Sequence, residues 1–326
     1  MPKKENKYFI LNQEYTLNIK FLIKQVLFFI VLKFYSITFA TAGKVKPQQK
    51  KYKVAICAIF KNEALYLREW IEYHKIVGVE HFYLYNNNSE DDYQSVLAPY
   101  IDDGTVTLIQ WPQNQAQMQC YHDGIERFKD ETEWLTFIDI DEFIVPNVTD
   151  NIYDFLKPFQ NKYPVVIAYW KMFGTSGMLK RNTNSLVTED FTVCWNKYCD
   201  IGKVFFNTAY SFDKNDKHNG ALHHYCWGKK GNKPLPPVNV FKKICIYGNN
   251  PVRHKADKAY FPLQINHYFT KSYEEYLYKK AKGDVYFNIN PHDEAYFYAH
   301  EKNNKNIDYR IYKYLIKLKL KMGKDE

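Results

Sequence analysis

The stretch WLTFIDIDEFIV, residues 134–145, runs an apolar approach into two aspartates separated by one isoleucine. Apolar runs of this kind are expected of a buried strand. Side chains alternate along a strand, so Asp139 and Asp141 are predicted to point to one side of a single strand over Trp134–Val145. Two hard carboxylates at a strand end suit Mg²⁺ or Mn²⁺. Taken singly, an Asp-x-Asp triplet is common in solvated loops; its place after a buried strand gives it weight.

Working outward, KVAICAIF (Lys53–Phe60), HFYLYNN (His81–Asn87) and TVTLIQW (Thr105–Trp111) are three further strand candidates. Helical periodicity fills Glu63–Val77 and Gln115–Lys129 between them, and Ser89 or Asp91 is placed to cap the helix after the second strand. Strands alternating with helices predict an α/β fold with a doubly wound, mostly parallel sheet. Ligands then bind beyond the carboxyl ends of the strands. Past residue 150 the pattern changes. VVIAYWKMFGTSG (Val165–Gly177) ends in a glycine-flanked loop, and 190–265 holds short strands and many turn residues. The tail from Ser272 is expected to be helical. Ile311, Leu315, Leu318 and Met322 fall on one face there, with Arg310, Lys313, Lys317 and Lys321 beside it, a basic amphipathic helix of the kind that lies on membranes.

The net charge of +9 is unevenly placed: residues 1–51 carry +8, 302–326 carry +5, and the body between them is slightly acidic. Basic ends beside apolar runs fit an anionic membrane surface, while a nucleic-acid partner would want its basic stripe on the body. The apolar stretch Phe21–Ala42 is broken by Lys24 and Lys33. A spanning helix needs about 20 mostly apolar residues, so an interfacial helix is preferred, with a single-pass signal anchor as the alternative and packing on the protein's own body as the plain reading. The body is expected at the cytoplasmic face. The six cysteines include no Cys-x-x-Cys pair, which argues against a zinc ribbon.

The polar groups at the strand ends complete the candidate site. Lys61, Asn62 and Glu63 follow the first strand and suit either a nucleotide contact or a helix cap; Ser89 and Asp91 follow the second. A cation at Asp139 and Asp141 would neutralise a diphosphate as a sugar departs from it, as a nucleotide-sugar donor requires. His267, in INHY, could give that cation a third ligand, and His223-His224 could serve metal or substrate. Trp170 and Phe173 are candidates to stack on a sugar face.

The ordered pieces IFKNEALYLREWIEYHKIVGVEHFYLYNNNSEDD, FIDIDEFIVP, WKMFGTSG and INHYFTKSYEEYLYKKAKGD resemble glycosyltransferase family 92 and its bacterial relatives in the family 2-like group, over roughly residues 53–310. The resemblance implies a GT-A fold, with 52–150 as nucleotide-sugar-binding half and 151–271 as acceptor and catalytic half with a smaller β region; composition and periodicity make 1–51 a membrane-associating segment and linker and 272–326 C-terminal helices. It implies an inverting mechanism, a divalent cation on Asp139 and Asp141 with His267 matching the late metal histidine, and a UDP-hexose donor, with UDP-galactose a candidate. The basic ends beside apolar runs suggest a saccharide or lipid-linked glycan acceptor met at a membrane. Inversion needs a carboxylate base. Glu189 is the first candidate because it follows the loop Gly174–Gly177, where the family places acceptor contacts; Asp213 and Glu142 are alternatives. The chain departs from the family at FFNTAYSFDKNDKHNG (205–220). Two competing readings are a non-catalytic membrane-surface protein on a degenerate scaffold, and a nucleotidyltransferase. The latter usually wants a glycine-rich triphosphate loop, which KNEAL is not.

Overall fold

The computed structural model describes residues 6–10, 18–46, 48–114, 116–246, 260–282 and 293–323. Gln115, Gly283 and Asp284, used in the sequence reading, lie outside them.

The apolar run becomes strand β1 (Tyr52–Phe60), buried from Val54 onward. It pairs in parallel with β2 (His81–Asn86) on one side and β4 (Thr132–Phe137) on the other, and β3 (Val106–Gln110) pairs in parallel with β2. Helices α2 (Ala64–Ile76), α3 (Tyr93–Asp102) and α4 (Gln117–Phe128) make the crossovers, after an N-terminal helix α1 (Ile19–Ala42). The chain winds outward from β1 to β3 and then returns to the other flank of β1. That reversal opens a crevice at the carboxyl ends of β1 and β4. The doubly wound half thus agrees with the α/β expectation.

The single strand expected over Trp134–Val145 is not formed. β4 stops at Phe137, residues 138–141 turn, and β5 begins at Glu142 and runs to Pro146. β7 (Gly202–Asn207) and β6 (Val165–Met172) extend the sheet antiparallel from β4; β8 (Leu263–His267) lies parallel to β6; β5 closes the far edge antiparallel to β8. β4 and β5 are therefore joined by four residues yet separated by three strands. In a flat sheet that gap is about 19 Å, and five peptide links reach about 17 Å at most. The sheet must curl, and the Asp139–Asp141 turn bridges its two halves. This mixed second half beside a parallel first half is the GT-A expectation met in outline.

A strand at a sheet edge leaves backbone groups to be satisfied. Helix α2 supplies the partners for β5. Trp70 Nε1 donates to the Glu142 carbonyl at 2.9 Å and the Tyr73 hydroxyl to the Ile144 carbonyl at 2.9 Å. The Ile144 N–H donates to His74 Nε2 at 3.2 Å, while His74 Nδ1 donates to the Trp70 carbonyl at 2.8 Å. Burial lowers the His74 pKa to about 3, so the ring is neutral, as these two bonds require.

The tail is helical at α5 (Tyr273–Lys282), α6 (Glu294–Glu301) and α7 (Leu315–Met322), with a short strand Asn304–Ile307 and a 3₁₀ turn Arg310–Tyr314 between. The apolar face expected to meet a membrane is covered instead. Ile311, Tyr314 and Leu318 are buried in the main core, and α7 packs on α2. A 3.6-residue apolar period specifies a buried stripe but not what buries it. Helix α1 differs. Phe21, Phe28 and Phe39 are buried, Tyr35 packs edge-on to Trp227, and Lys230 donates to the Ala42 and Lys44 carbonyls at its end. Leu22, Val26, Phe29, Ile30, Phe34 and Ile37 remain exposed. Its 24 residues are long and apolar enough to cross a membrane by length and composition.

β7 can approach β6 closely because residue 202 is glycine: a Cβ there would lie 1.8 Å from the Ala168 carbonyl oxygen. Gly202→Ala is expected to cost about 1–3 kcal/mol of stability through overpacking, read from the urea midpoint. An unchanged midpoint would refute the close approach.

Candidate active site

The turn Ile138–Asp141 hangs at the crevice between β1 and β4. Asp139 and Asp141 reach it from a turn, not from alternate positions of a strand; Ile140 between them is buried in the core. Asp139 is partly open. Its Oδ1 accepts from Gln117 Nε2 and the Tyr121 hydroxyl of α4, each at 3.3 Å, and its Oδ2 lies 2.8 Å from Lys203 Nζ. Asp141 accepts from Lys279 Nζ of α5 at 2.5 Å and lies 3.5 Å from His267 Nε2 at the end of β8.

Glu142 and Lys203 underlie this pair, each with a wholly buried side chain (0% exposed). Lys203 Nζ is 3.3 Å from Glu142 Oε2, and that oxygen accepts the Asp139 N–H at 2.9 Å. Burial would raise the Asp139 carboxyl, but the Lys203 ammonium holds it below its ordinary value. Burial likewise opposes charge on Asp141, and Lys279 with His267 hold it well below the carboxylate range. Burial drives Glu142 the other way, well above its ordinary value, helped by the charges of Asp139 and Asp141. Burial lowers the His267 pKa, which favours the neutral imidazole a metal needs.

The chemistry of this donor set fits a divalent cation: two ionised carboxylates and one neutral imidazole. Only Asp141 and His267 already face each other, and among the described residues no three His, Cys, Asp or Glu side chains are gathered around one point. Lys279 stands where a cation on Asp141 would have to compete.

Other expected residues divide. Asn62 and Ser89 meet: the Asn62 N–H donates to Ser89 Oγ at 2.9 Å, and Asn62 Oδ1 accepts the Glu90 N–H at 2.8 Å. Asp91 Oδ2 accepts the Ala64 N–H at 2.7 Å. Ser89 and Asp91 thus reach back to the loop after β1 and do not cap α3, whose N-cap is Asp92. Lys61 and Glu63 stand half-buried on that loop, and Glu63 is near enough to raise the Lys279 pKa. Glu189 and Asp213 are not brought to the turn. Glu189 pairs with Lys319 of α7, and Asp213 with Lys229 at 3.0 Å. Trp170 does line the site, its ring centroid 4.6 Å from His267 and 4.9 Å from His224. Phe173 is core. His224 Nδ1 donates to the Gly202 carbonyl at 2.7 Å, and burial lowers its pKa to about 3. His223 is buried beside it, with ring centroids 3.8 Å apart.

Sequence reasoning missed Lys203, Lys271, Lys279, Gln117 and Tyr121. The signal for Lys203 was a lysine inside the apolar strand GKVFFN. Breaking a buried pair on one side is strongly destabilising. Lys203→Met is expected to cost about 3 kcal/mol or more, with the loss reduced when Asp139→Asn is added, in urea unfolding of the single and double variants. Additive losses would show that the two side chains are not coupled.

The sequence model described as glycosyltransferase family 92 matches residues 50–230. Among curated relatives, a glycosyltransferase family 92 protein of Ricinus communis is 35% identical over 114 residues, covering 35% of this chain and 21% of the relative. One from Oryza sativa subsp. japonica is 32% identical over 136 residues, covering 41% and 23%. A beta-1,4-galactosyltransferase of Caenorhabditis elegans is 32% identical over 116 residues, covering 31% and 27%. The chain therefore spans about a quarter or less of the length of these relatives. Among solved structures, S. aureus TarS 1–349 is 14% identical with a TM-score of 0.38, covering 69% of this chain and 63% of that one. The family match takes in more than half of the 326 residues, from β1 past the Lys203 strand, and the chain belongs to glycosyltransferase family 92.

Proposed function

We propose that this chain transfers a hexose, with inversion, from a UDP-linked donor to a saccharide or lipid-linked glycan acceptor with the help of Mn²⁺ or Mg²⁺. The observation that carries this reading is the position of the Asp139–Asp141 turn at the switch-point crevice, with His267 against Asp141. Asp139, Asp141 and His267 would hold the cation, which when bound supplies positive charge for the departing diphosphate. The loop from Lys61 to Glu63, buttressed by Ser89 and Asp91, would take the nucleoside at the head of β1. Galactose is the candidate hexose, on the name of the Caenorhabditis elegans relative.

The chain's own residues set up this chemistry. Glu142 accepts the Asp139 N–H and shares Lys203 with Asp139. It acts as a positioning residue, since it is sealed beneath the turn. Trp170, flanked by His224 and His267, offers the sugar a ring at the mouth of the site. The exposed face of α1 would hold the protein against an anionic membrane at its cytoplasmic side.

Hydrolysis and transfer should be scored with a panel of UDP-, GDP- and dTDP-hexoses, with and without Mn²⁺. Asp139→Ala with Asp141→Ala is expected to abolish turnover, and chelation to do the same to wild type. Full activity in either case sinks the reading, and no donor turnover at all favours a non-catalytic scaffold. Glu189→Gln is expected to leave turnover near normal, because Lys319 already holds that carboxylate; a loss of ~10²-fold or more would restore it as the base. Deleting residues 1–50 should move the protein out of the membrane fraction, and retention there would rule out α1 as the anchor.

A further inference from the structure

Lys271 follows β8 and precedes Ser272, the capping residue of α5. Its backbone is left-handed, with φ at 49°. A long side chain rarely adopts that region, and residues held there cluster at functional sites. The residue is only 6% exposed. Its ammonium lies 4.2 Å from the centroid of the Tyr66 ring, and it has no hydrogen-bond or ion-pair partner among the described residues. A cation left without a hydrogen-bond or ionic partner at a mostly buried residue is costly, and a ring face recovers only part of that, about 2 kcal/mol.

The surroundings explain where this cation points its charge. Tyr66 stands in the first turn of α2, three residues after the loop residue Glu63. The Tyr268 N–H donates to the Asp141 carbonyl at 2.9 Å, which fastens the segment carrying Lys271 beside the aspartate turn. The charges of Asp141, Glu63 and Glu275 all bear on Lys271, yet burial dominates and lowers its pKa. Glu275 is already engaged: it accepts from the Tyr66 hydroxyl at 2.8 Å, from Arg181 at 3.2 Å and from Ser272. Asp141 is taken by Lys279.

The start of α5 offers nothing else to an anion. Ser272 and Glu275 form a closed capping box, and the Tyr273 and Glu274 N–H groups donate to the Met178 and Leu179 carbonyls. Lys271 is the unspent positive group there. It sits between the loop that would take the nucleoside and the turn that would take the cation.

We propose that Lys271 binds the diphosphate of the nucleotide-sugar donor and keeps hold of it as the leaving group. This rests on the donor reading above and adds to it a contact made by the protein itself. The left-handed backbone and the missing partner are then costs accepted in the free protein and offset when two phosphates arrive.

The test is calorimetric, on the full chain, with UDP, GDP, uridine, guanosine and inorganic pyrophosphate, in EDTA and in Mn²⁺. Lys271→Asn removes the charge while tolerating the left-handed backbone. It is expected to weaken the preferred nucleoside diphosphate and pyrophosphate by roughly tenfold or more, to leave the matching nucleoside unchanged, and to keep or raise the melting temperature. Lys271→Arg should recover most of the lost affinity. Unchanged diphosphate affinity in Lys271→Asn overturns the proposal while leaving the donor reading intact. Equal loss of nucleoside and diphosphate, or a lowered melting temperature, would make Lys271 a structural residue and also overturn it. Failure of wild type to bind any of these diphosphates would overturn both.

Discussion

The Lys203 ammonium, wholly buried between Asp139 and Glu142, joins the two halves of this molecule. Lys203 comes from β7, which starts the antiparallel half; Asp139 lies in the turn that ends the parallel half, and Glu142 opens β5 just after it. Removing either carboxylate would leave the wholly buried Lys203 ammonium short of a partner away from water, where a lone ion is far more costly than a pair. The arrangement therefore holds the turn in one place. It also sorts the carboxylates: the shared lysine keeps Asp139 ionised, while Glu142, deeper and beside two negative neighbours, is pushed toward its neutral form.

The same turn is fixed from outside by helix α2. Trp70, Tyr73 and His74 occupy the backbone groups of β5 that no strand covers, so the edge is closed and the curl is locked. Glu69 on the same helix accepts the N–H groups of Val187 and Thr188 and ties the segment that carries Glu189 to it. One helix thus bears on β5, on the loop before Glu189, and through Tyr66 on Lys271. That is why the stretch LREWIEYH reads as more than a crossover: its polar and aromatic side chains serve as backbone partners for distant segments.

The parallel half was legible because strands buried on both faces are continuous apolar runs, and KVAICAIF and HFYLYNN are such runs. Asp139 and Asp141 were legible for the same reason, as charge arriving after apolarity. The break at 138–141 was not, since an apolar run with alternation reads the same whether it is one strand or two joined by a buried turn. Lys203 carries only the faint signal of a lysine inside the apolar run GKVFFN, and Lys271 carries none, because a lone lysine is almost always solvated. The face of α7 was misread because its period is common to core and membrane helices. The place of Glu189 after a glycine loop suggests the acceptor side; the fold instead turns Glu189 toward Lys319 of α7.

Charge balance links these observations. In the free protein the ionised carboxylates Asp139 and Asp141 are matched by the ammoniums of Lys203 and Lys279, and Lys271 is left over. A divalent cation arriving with a diphosphate brings a net charge close to zero or slightly negative, so the ensemble can accept both together more easily than either alone. A cation by itself would have to displace Lys279 from Asp141 and face a second unpaired ammonium at Lys271. A diphosphate by itself would meet Asp141 and Glu63. Three of the groups in this exchange, the His267 imidazole and the Lys271 and Lys279 ammoniums, come after residue 260, beyond the segment matched by the family model. The parallel core therefore positions the carboxylates, and on the proposed donor reading the closing segment from β8 into α5 decides which ions can share them.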